Sequence, residues 1–214
     1  MSAAAVDCAL TVNAGSSSIK YALFERGGDP AVPLMAGQVE GLGVGGMDHA
    51  QGMAQVLERV ASGAGPGRRV AVVGHRIVHG GAAFVQPVLI DEPVLQALQA
   101  LAPLAPLHQP HNLRGVAAAR AAVPAVPQVA CFDTAFHRTQ AEVHQRFALP
   151  AVWHEAGVRR YGFHGLSYES ICAQLAADEP ALASGRVVVA HLGNGASMCA
   201  IAGGRSVATT MSFS

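Results

Sequence analysis

Two short polar loops carry the residue types that hold phosphate. The first, Asn13-Ala14-Gly15-Ser16-Ser17-Ser18, offers small residues, several backbone N–H groups and hydroxyls, and Lys20 adds an ammonium at its exit. Amides converging in a tight turn form an anion-binding concavity. The spacing is not that of a Walker loop, because G-x-x-x-x-G-K-[ST] is absent. Asn, Gly and Ser are also turn formers in their own right, so an ordinary hairpin turn stands as the alternative. Lys20 bears on the choice: thirteen of the fourteen basic residues are arginine and it is the only lysine. A chain that uses arginine nearly everywhere retains a lysine where a compact ammonium is wanted. The second loop, His191-Leu192-Gly193-Asn194-Gly195-Ala196-Ser197, repeats the pattern. A nucleotide wants two phosphate-facing hairpins, so each loop strengthens the reading of the other.

Three denser clusters lie between the loops. Gly74-His75-Arg76-Ile77-Val78-His79-Gly80-Gly81 places Arg76 at the end of an apolar run, beside a glycine pair that lets backbone or ligand approach closely. Arg76 can clamp a carboxylate or phosphate with two parallel hydrogen bonds; a structural ion pair is the plainer use. A metal held by His75 and His79 is disfavoured, since residues four apart on an extended strand lie about 13 Å apart. Phe132-Asp133-Thr134-Ala135-Phe136-His137 puts an acid just past a strand end, where open α/β sheets place their sites. Asp133 could equally cap the helix that follows. In Arg159-Arg160-Tyr161-Gly162-Phe163-His164-Gly165, His164 could face a reacting phosphoryl group, although a histidine is more often structural. Pro106-Leu107-His108-Gln109-Pro110 reads as a rigid loop before a helix and alone supports no functional claim.

The elements that position these residues follow from period and punctuation. Residues 8–12 and 19–24 read as strands on either side of the first loop, and residues 34–39 complete a meander. Met53, Val56, Leu57 and Val60 give a helix over 50–61; residues 70–78 read as a buried strand. Helices are expected at 93–101, 112–122 and 168–177, and strands at 126–132 and 187–192. Residues 198–202 and 205–211 follow as a second meander. A meander combined with strand–helix alternation indicates an α/β fold with a mixed sheet and flanking helices. The end of the chain thus repeats its beginning, strand, Asn- and Gly-containing loop, strand. Such a duplication predicts a truncated second repeat that stops at Ser214 before its own helices.

Bulk composition agrees. At 214 residues the chain makes one large domain or two small ones. Hydrophobic residues are 51%, which excludes intrinsic disorder, and the formal net charge is zero, which leaves no basic footprint for nucleic acid. The four cysteines form no CxxC pair, so core thiols in a reducing compartment are expected. No apolar run reaches membrane-spanning length and the N-terminus has no basic leader, which together predict a soluble cytoplasmic protein.

The motifs VNAGSSSIK, GHRIVHGG, APLHQPHNL, CFDTAFH, RRYGFHGLS and HLGNGAS, in this order, resemble the acetate kinase family, the acetate/propionate kinases of the actin, hexokinase and heat-shock ATPase superfamily. The resemblance implies an actin-like, ribonuclease-H-like fold built by duplication. It also implies reversible phosphoryl transfer from ATP to acetate with Mg2+ or Mn2+, in a cytoplasmic homodimer. By position, Asn13 corresponds to a residue that helps hold the metal. Ser16, Ser18 and Lys20 correspond to the first phosphate loop, and His191, Leu192, Gly193, Asn194 and Gly195 to the second. Arg76 corresponds to the arginine on the carboxylate or the transferring phosphate, and Val78, Leu107 and Phe163 to the pocket for the acetate methyl. Asp133 corresponds to the catalytic acid, expected to orient Arg76 or the metal, and His108 and His164 to contacts on the transition state. Departures occur at Gln109, His111, Leu166, Tyr168, Ala208 and Ser212. Family members are about twice as long. The implied division is an N-terminal domain, 1–185, carrying the acetate side, and 186–214 as the opening meander of a truncated nucleotide-binding domain. A propionate or butyrate kinase, or a non-catalytic carboxylate- or phosphate-binding module, is the alternative.

Overall fold

Alternating burial in the first forty residues makes a sheet. In the computed structural model, which describes residues 5–43 and 45–212, Val6–Ala14 (β1), Ser18–Glu25 (β2) and Met35–Glu40 (β3) form an antiparallel meander. Cys8, Leu10, Val12 and Ala14 on β1 share one face with Ile19, Tyr21 and Leu23 on β2, as the period of two requires. Helix α1 (His49–Gly63) starts at a capping box: Gln51 N donates to the Asp48 carboxylate at 2.8 Å, and Asp48 N donates to the Gln51 side chain at 2.9 Å. Its buried stripe, Met53, Val56 and Val60, packs on the meander. Strand β4 (Arg68–Ile77) then runs parallel to β1.

The next segments are β5 (Val88–Leu89), α2 (Glu92–Ala100), α3 (Gln109–Ala122) and β6 (Gln128–Phe132). They complete a six-stranded mixed sheet of order β3-β2-β1-β4-β6-β5. After a 3-10 turn at Ala135–Thr139 come α4 (Glu142–Gln145), α5 (Ala151–Glu155), α6 (Gly165–Asp178) and α7 (Pro180–Ala183). Strands β7 (Arg186–Leu192), β8 (Ala196–Ala202) and β9 (Arg205–Thr209) form a second antiparallel meander.

Packing gathers the chain into two compact units. The first contains Met1–Ile77, Val88–Ala102 and Pro106–Cys131; the second contains Val78–Pro87, Pro103–Ala105 and Phe132–Ser214. The core of the first is the β1–β2–β3 face under α1 and α3. In the second, Tyr168, Cys199 and Ile201 are buried with Phe136, Cys172, Val187 and Val189 alongside.

Every strand and helix expected from the sequence is present, with shifted ends. Helix α3 begins at Gln109, three residues early, because Pro110 fits the first turn, where its missing N–H costs nothing. Helix α6 also begins three residues early, behind His164, whose side chain makes no cap bond and so gives no start signal. Strand β9 ends at Thr209, short of residue 211. The two-residue β5 and the short α4, α5 and α7 are not expected from the sequence, since elements of two to five residues are too brief to show a period. The ends of the implied domains, residues 1–4 and 213–214, lie outside the described residues.

Candidate active site

In the first unit the 15–18 loop is closed by Gly15 N donating to Ser18 O at 2.9 Å. Two helices brace it. His49 on α1 donates from Nε2 to Gly15 O at 2.9 Å, and Asn112 on α3 donates from Nδ2 to Ala14 O at 2.7 Å. Helix α3 approaches this closely because Gly115 faces Ala14; a Cβ there would lie 2.4 Å from the Ala14 Cβ. Ser16 and Lys20 are exposed and Ser18 is half-buried. The loop is therefore held from behind while its hydroxyls and the ammonium remain accessible.

The parallel pairing of β1 with β4 sets Val12 opposite His75. The next step along both strands brings Asn13 and Arg76 together, and Arg76 Nη1 donates to Asn13 Oδ1 at 3.3 Å. His75 points to the other face, is buried, and donates from Nε2 to Gln128 Oε1 at 2.7 Å. Burial lowers its pKa, against a smaller opposing effect of that bond. His108 is exposed at the N-cap of α3, and Leu107 beside it is 77% exposed.

In the second unit Asp133 is 1% exposed at the end of β6. The cap position of the following turn is Thr134, so Asp133 stands one residue too early to cap it. Its loop is anchored twice: Gly165 N donates to Asp133 O at 2.8 Å, and Gly80 N donates to Thr134 Oγ1 at 3.0 Å. Gly165 has no room for a side chain, since a Cβ would fall 2.2 Å from the Asp133 carbonyl oxygen. Val78 and Phe163 pack together with Ala105 and Met211 in a small apolar cluster. Leu107, the third residue expected to line an apolar pocket, belongs to the first unit and not to this cluster.

His164 is the one non-glycine residue with positive φ among the described residues, at 59°. Sustained left-handed backbone in a bulky residue is a strain that surrounding contacts must hold. Here Nδ1 bonds to Ser197 Oγ at 2.8 Å and the ring stacks on His191 at 4.0 Å between centroids. Ser197 Oγ is shared with Tyr168 OH, and His191 Nδ1 bonds to Ser167 Oγ at 3.0 Å. The first turn of α6 and the β7–β8 hairpin thus fix both rings. His137 braces the segment from below, donating from Nε2 to Phe163 O at 2.8 Å, so its Nδ1 accepts from Ser206 at 2.9 Å. Burial lowers the His137 pKa and favours this neutral tautomer. Leu192, Gly193, Asn194 and Gly195 are exposed at the hairpin tip.

Each unit therefore assembles a set of its own. Asn13, Ser16, Ser18, Lys20, Arg76, Leu107 and His108 belong to the first; Val78, Asp133, Phe163, His164 and residues 191–195 belong to the second. Chemically the first offers a cradle of hydroxyls and an ammonium beside an amide–guanidinium pair. The second offers a buried carboxylate and an oriented imidazole. The bracing residues His49, Asn112, Ser167 and Tyr168 were not selected from the sequence, because each acts on a partner 24 to 98 positions away.

A family profile described as the acetokinase family matches residues 31–214. The chain is 47% identical to the acetate kinase of Methylocella silvestris, over 96% of this chain and 58% of that protein. It is 46% identical to the acetate kinase of Nitrobacter hamburgensis, over 97% of this chain and 57% of that protein. The crystal structure of the Porphyromonas gingivalis acetate kinase superposes with a TM-score of 0.80 at 34% identity, covering 97% of this chain and 58% of that one. A propionate kinase from Francisella tularensis superposes at 0.83 with 31% identity and the same coverage. The chain thus spans a little over half the length of the relatives it matches.

Proposed function

Because the chain belongs to the acetokinase family, with its mixed α/β, actin-like ATPase fold, we propose that the complete protein is an acetate kinase. An acetate oxygen attacks the γ-phosphorus of ATP in line, the bond from that phosphorus to the β-phosphate oxygen breaks, and acetyl phosphate and ADP leave. The observation that carries this reading is the family match across 31–214, which spans five of the six motifs in full. The sixth begins at Val12 and ends at Lys20, within the stretch covered by the Methylocella silvestris relative.

The chemistry explains the residue types. Acetate is ionised at neutral pH, as carboxyl groups with pKa near 4 are, so its oxygen needs no general base. The demand is to bring two anions together and to stabilise charge spread over the phosphoryl oxygens. Arg76 takes the acetate carboxylate or the transferring phosphate. Lys20, Ser16 and Ser18 hold phosphate oxygens at one hairpin; residues 191–195 hold them at the other. His164 and His108 donate to the phosphoryl group in flight, and Val78, Phe163 and Leu107 enclose the methyl. Asp133 acts by its charge and takes no proton.

Among the described residues, no three His, Cys, Asp or Glu side chains gather into a metal cage. The available donor is Asn13 Oδ1, which accepts from Arg76 and retains a second lone pair. A single neutral oxygen suits magnesium or manganese that takes its other ligands from phosphates and water. Asn13 would hold it, and when bound it supplies charge neutralisation on the phosphates.

The repeat reading is supported by the two meanders, each an antiparallel hairpin around a small polar loop followed by a third strand. We accordingly keep 1–185 as the acetate-side domain and 186–214 as the opening of the nucleotide-binding one. A homodimer in the cytoplasm belongs to the same proposal. No helix among the described residues is long and apolar enough to cross a membrane. Propionate is the second substrate reading, favoured by the Francisella tularensis likeness and by Met211, a pliable side chain, beside Val78 and Phe163.

The test is a chimera in which this chain is continued by the Methylocella silvestris residues beyond the matched stretch. Hydroxylamine traps acyl phosphate made from ATP, magnesium and acetate or propionate. Product from acetate, lost in Arg76→Ala, is the expected result, and the 214-residue chain alone should form none. A folded chimera that phosphorylates neither acid rejects the activity.

A further inference from the structure

His164 before α6, Tyr168 on its first turn and Ser197 on β8 form a short hydrogen-bonded chain. Tyr168 and Ser197 are buried, and Ser197 Oγ stands between the Tyr168 hydroxyl and His164 Nδ1, 2.8 Å from the latter. A neutral imidazole allows either direction along the chain. In one, Tyr168 donates to Ser197 and Ser197 donates to Nδ1; in the other, Nδ1–H donates to Ser197 and Ser197 donates to Tyr168.

The surroundings of Tyr168 choose the first. Its oxygen accepts the backbone N–H of His191. In the second arrangement that oxygen would take two donors, and its own proton would lose the Ser197 acceptor inside a core of Phe136, Cys199 and Ile201. The ring nitrogens of neighbouring His137 offer no substitute, being bonded to Phe163 O and Ser206. A buried donor left unsatisfied carries its full desolvation penalty. Burial also raises the Tyr168 pKa above its ordinary 10, against smaller opposing effects of the bonds from Ser197 and His191, so the phenol keeps its proton.

The opposite edge of His164 faces the β7–β8 hairpin tip. A Cβ on Gly195 would lie 3.7 Å from His164 Nε2, and one on Gly193 would lie 3.3 Å from His191 Nε2; both glycines are exposed. With Nδ1 accepting, the neutral His164 ring carries its proton on Nε2, the nitrogen turned toward the tip.

We propose that Tyr168 is a positioning residue: acting through Ser197, it fixes His164 as the Nε2–H tautomer, so that the ring presents a donor and not a lone pair to phosphoryl oxygens at the Gly193–Gly195 tip. The consequence for catalysis rests on the phosphoryl-transfer reading above, whereas the tautomer does not. A correctly placed imidazole in the wrong tautomer loses catalysis with its geometry intact.

Nitrogen-15 NMR of the histidine-labelled 214-residue chain at pH 8, where an ordinary histidine is neutral, reads the tautomer directly. His164→Gln identifies the His164 signals. In the parent, Nδ1 should be the unprotonated nitrogen and Nε2 the protonated one. Tyr168→Phe keeps the packed ring and removes the hydroxyl, so Nδ1–H can replace it as donor to Ser197 and the signals should move toward the other tautomer. Circular dichroism checks that the variant folds, and Tyr161→Phe, which removes a different phenol hydroxyl of the same unit, should leave His164 unchanged. In the chimera Tyr168→Phe should lower kcat about tenfold or more with the acetate KM unchanged, a split that a packing role would not produce. Nδ1–H in the parent, an unaltered tautomer in Tyr168→Phe, or an undiminished kcat in an active chimera would overturn the proposal. A chimera inactive with Tyr168 in place rejects the kinase activity, and the NMR result then decides the relay by itself.

Discussion

At the residue scale, Asp133 and His79 make separable predictions. Acetate needs no base, so Asp133→Asn in the chimera should lower turnover about a hundredfold or more, by loss of preorganised charge, with little change in the acetate KM. An undiminished kcat would show that the carboxylate has no part in the reaction. His79 is fully buried, its ring 4.4 Å from that of Tyr161, and burial pushes its pKa from 6.5 to about 4. The unfolded chain therefore takes up this proton first as pH falls. The contribution is complete above about pH 6.5 and is lost progressively between there and pH 4, amounting to about 2 kcal/mol at pH 5. Urea titrations at pH 7 and pH 5 should differ by that much less in His79→Gln than in the parent. An equal difference would remove His79 as the source.

At the element scale, contacts between segments set the energetics. Gly165→Ala forces a methyl against the Asp133 carbonyl, and separating the two should cost about 1–3 kcal/mol in urea denaturation. A variant as stable as the parent would show that α6 can retreat without cost. Asp48→Ala removes the bond from Gln51 N to the Asp48 carboxylate, leaving only the backbone half of the capping box on α1, and should lower stability by about 1 kcal/mol. The Gly165 contact leaves no mark in the sequence, because a glycine between His164 and Leu166 gives no sign of which carbonyl will lie above it.

At the scale of the whole molecule, charge is scarce. Charged residues are 13% of the chain, the formal net charge is zero, and the sequence pI is about 7.2. Molecules without net repulsion associate through whatever apolar surface they expose. Solubility of the 214-residue chain, measured by polyethylene glycol precipitation, should pass through a minimum near pH 7 and rise by pH 9. A flat profile would mean that net charge does not govern association.

How much was legible follows from the range of the forces involved. Period and punctuation identified β1, β2, α1 and β4, because burial on one face writes itself into every second or every third and fourth residue. The motifs, with Lys20 as the lone lysine, singled out candidate residues for phosphate, since chemistry restricts residue type locally. Tertiary structure alone decided that Asn112 and His49 brace the first loop, and that Ser197 orients His164. Those outcomes depend on contacts between residues dozens of positions apart, which leave no spacing to read.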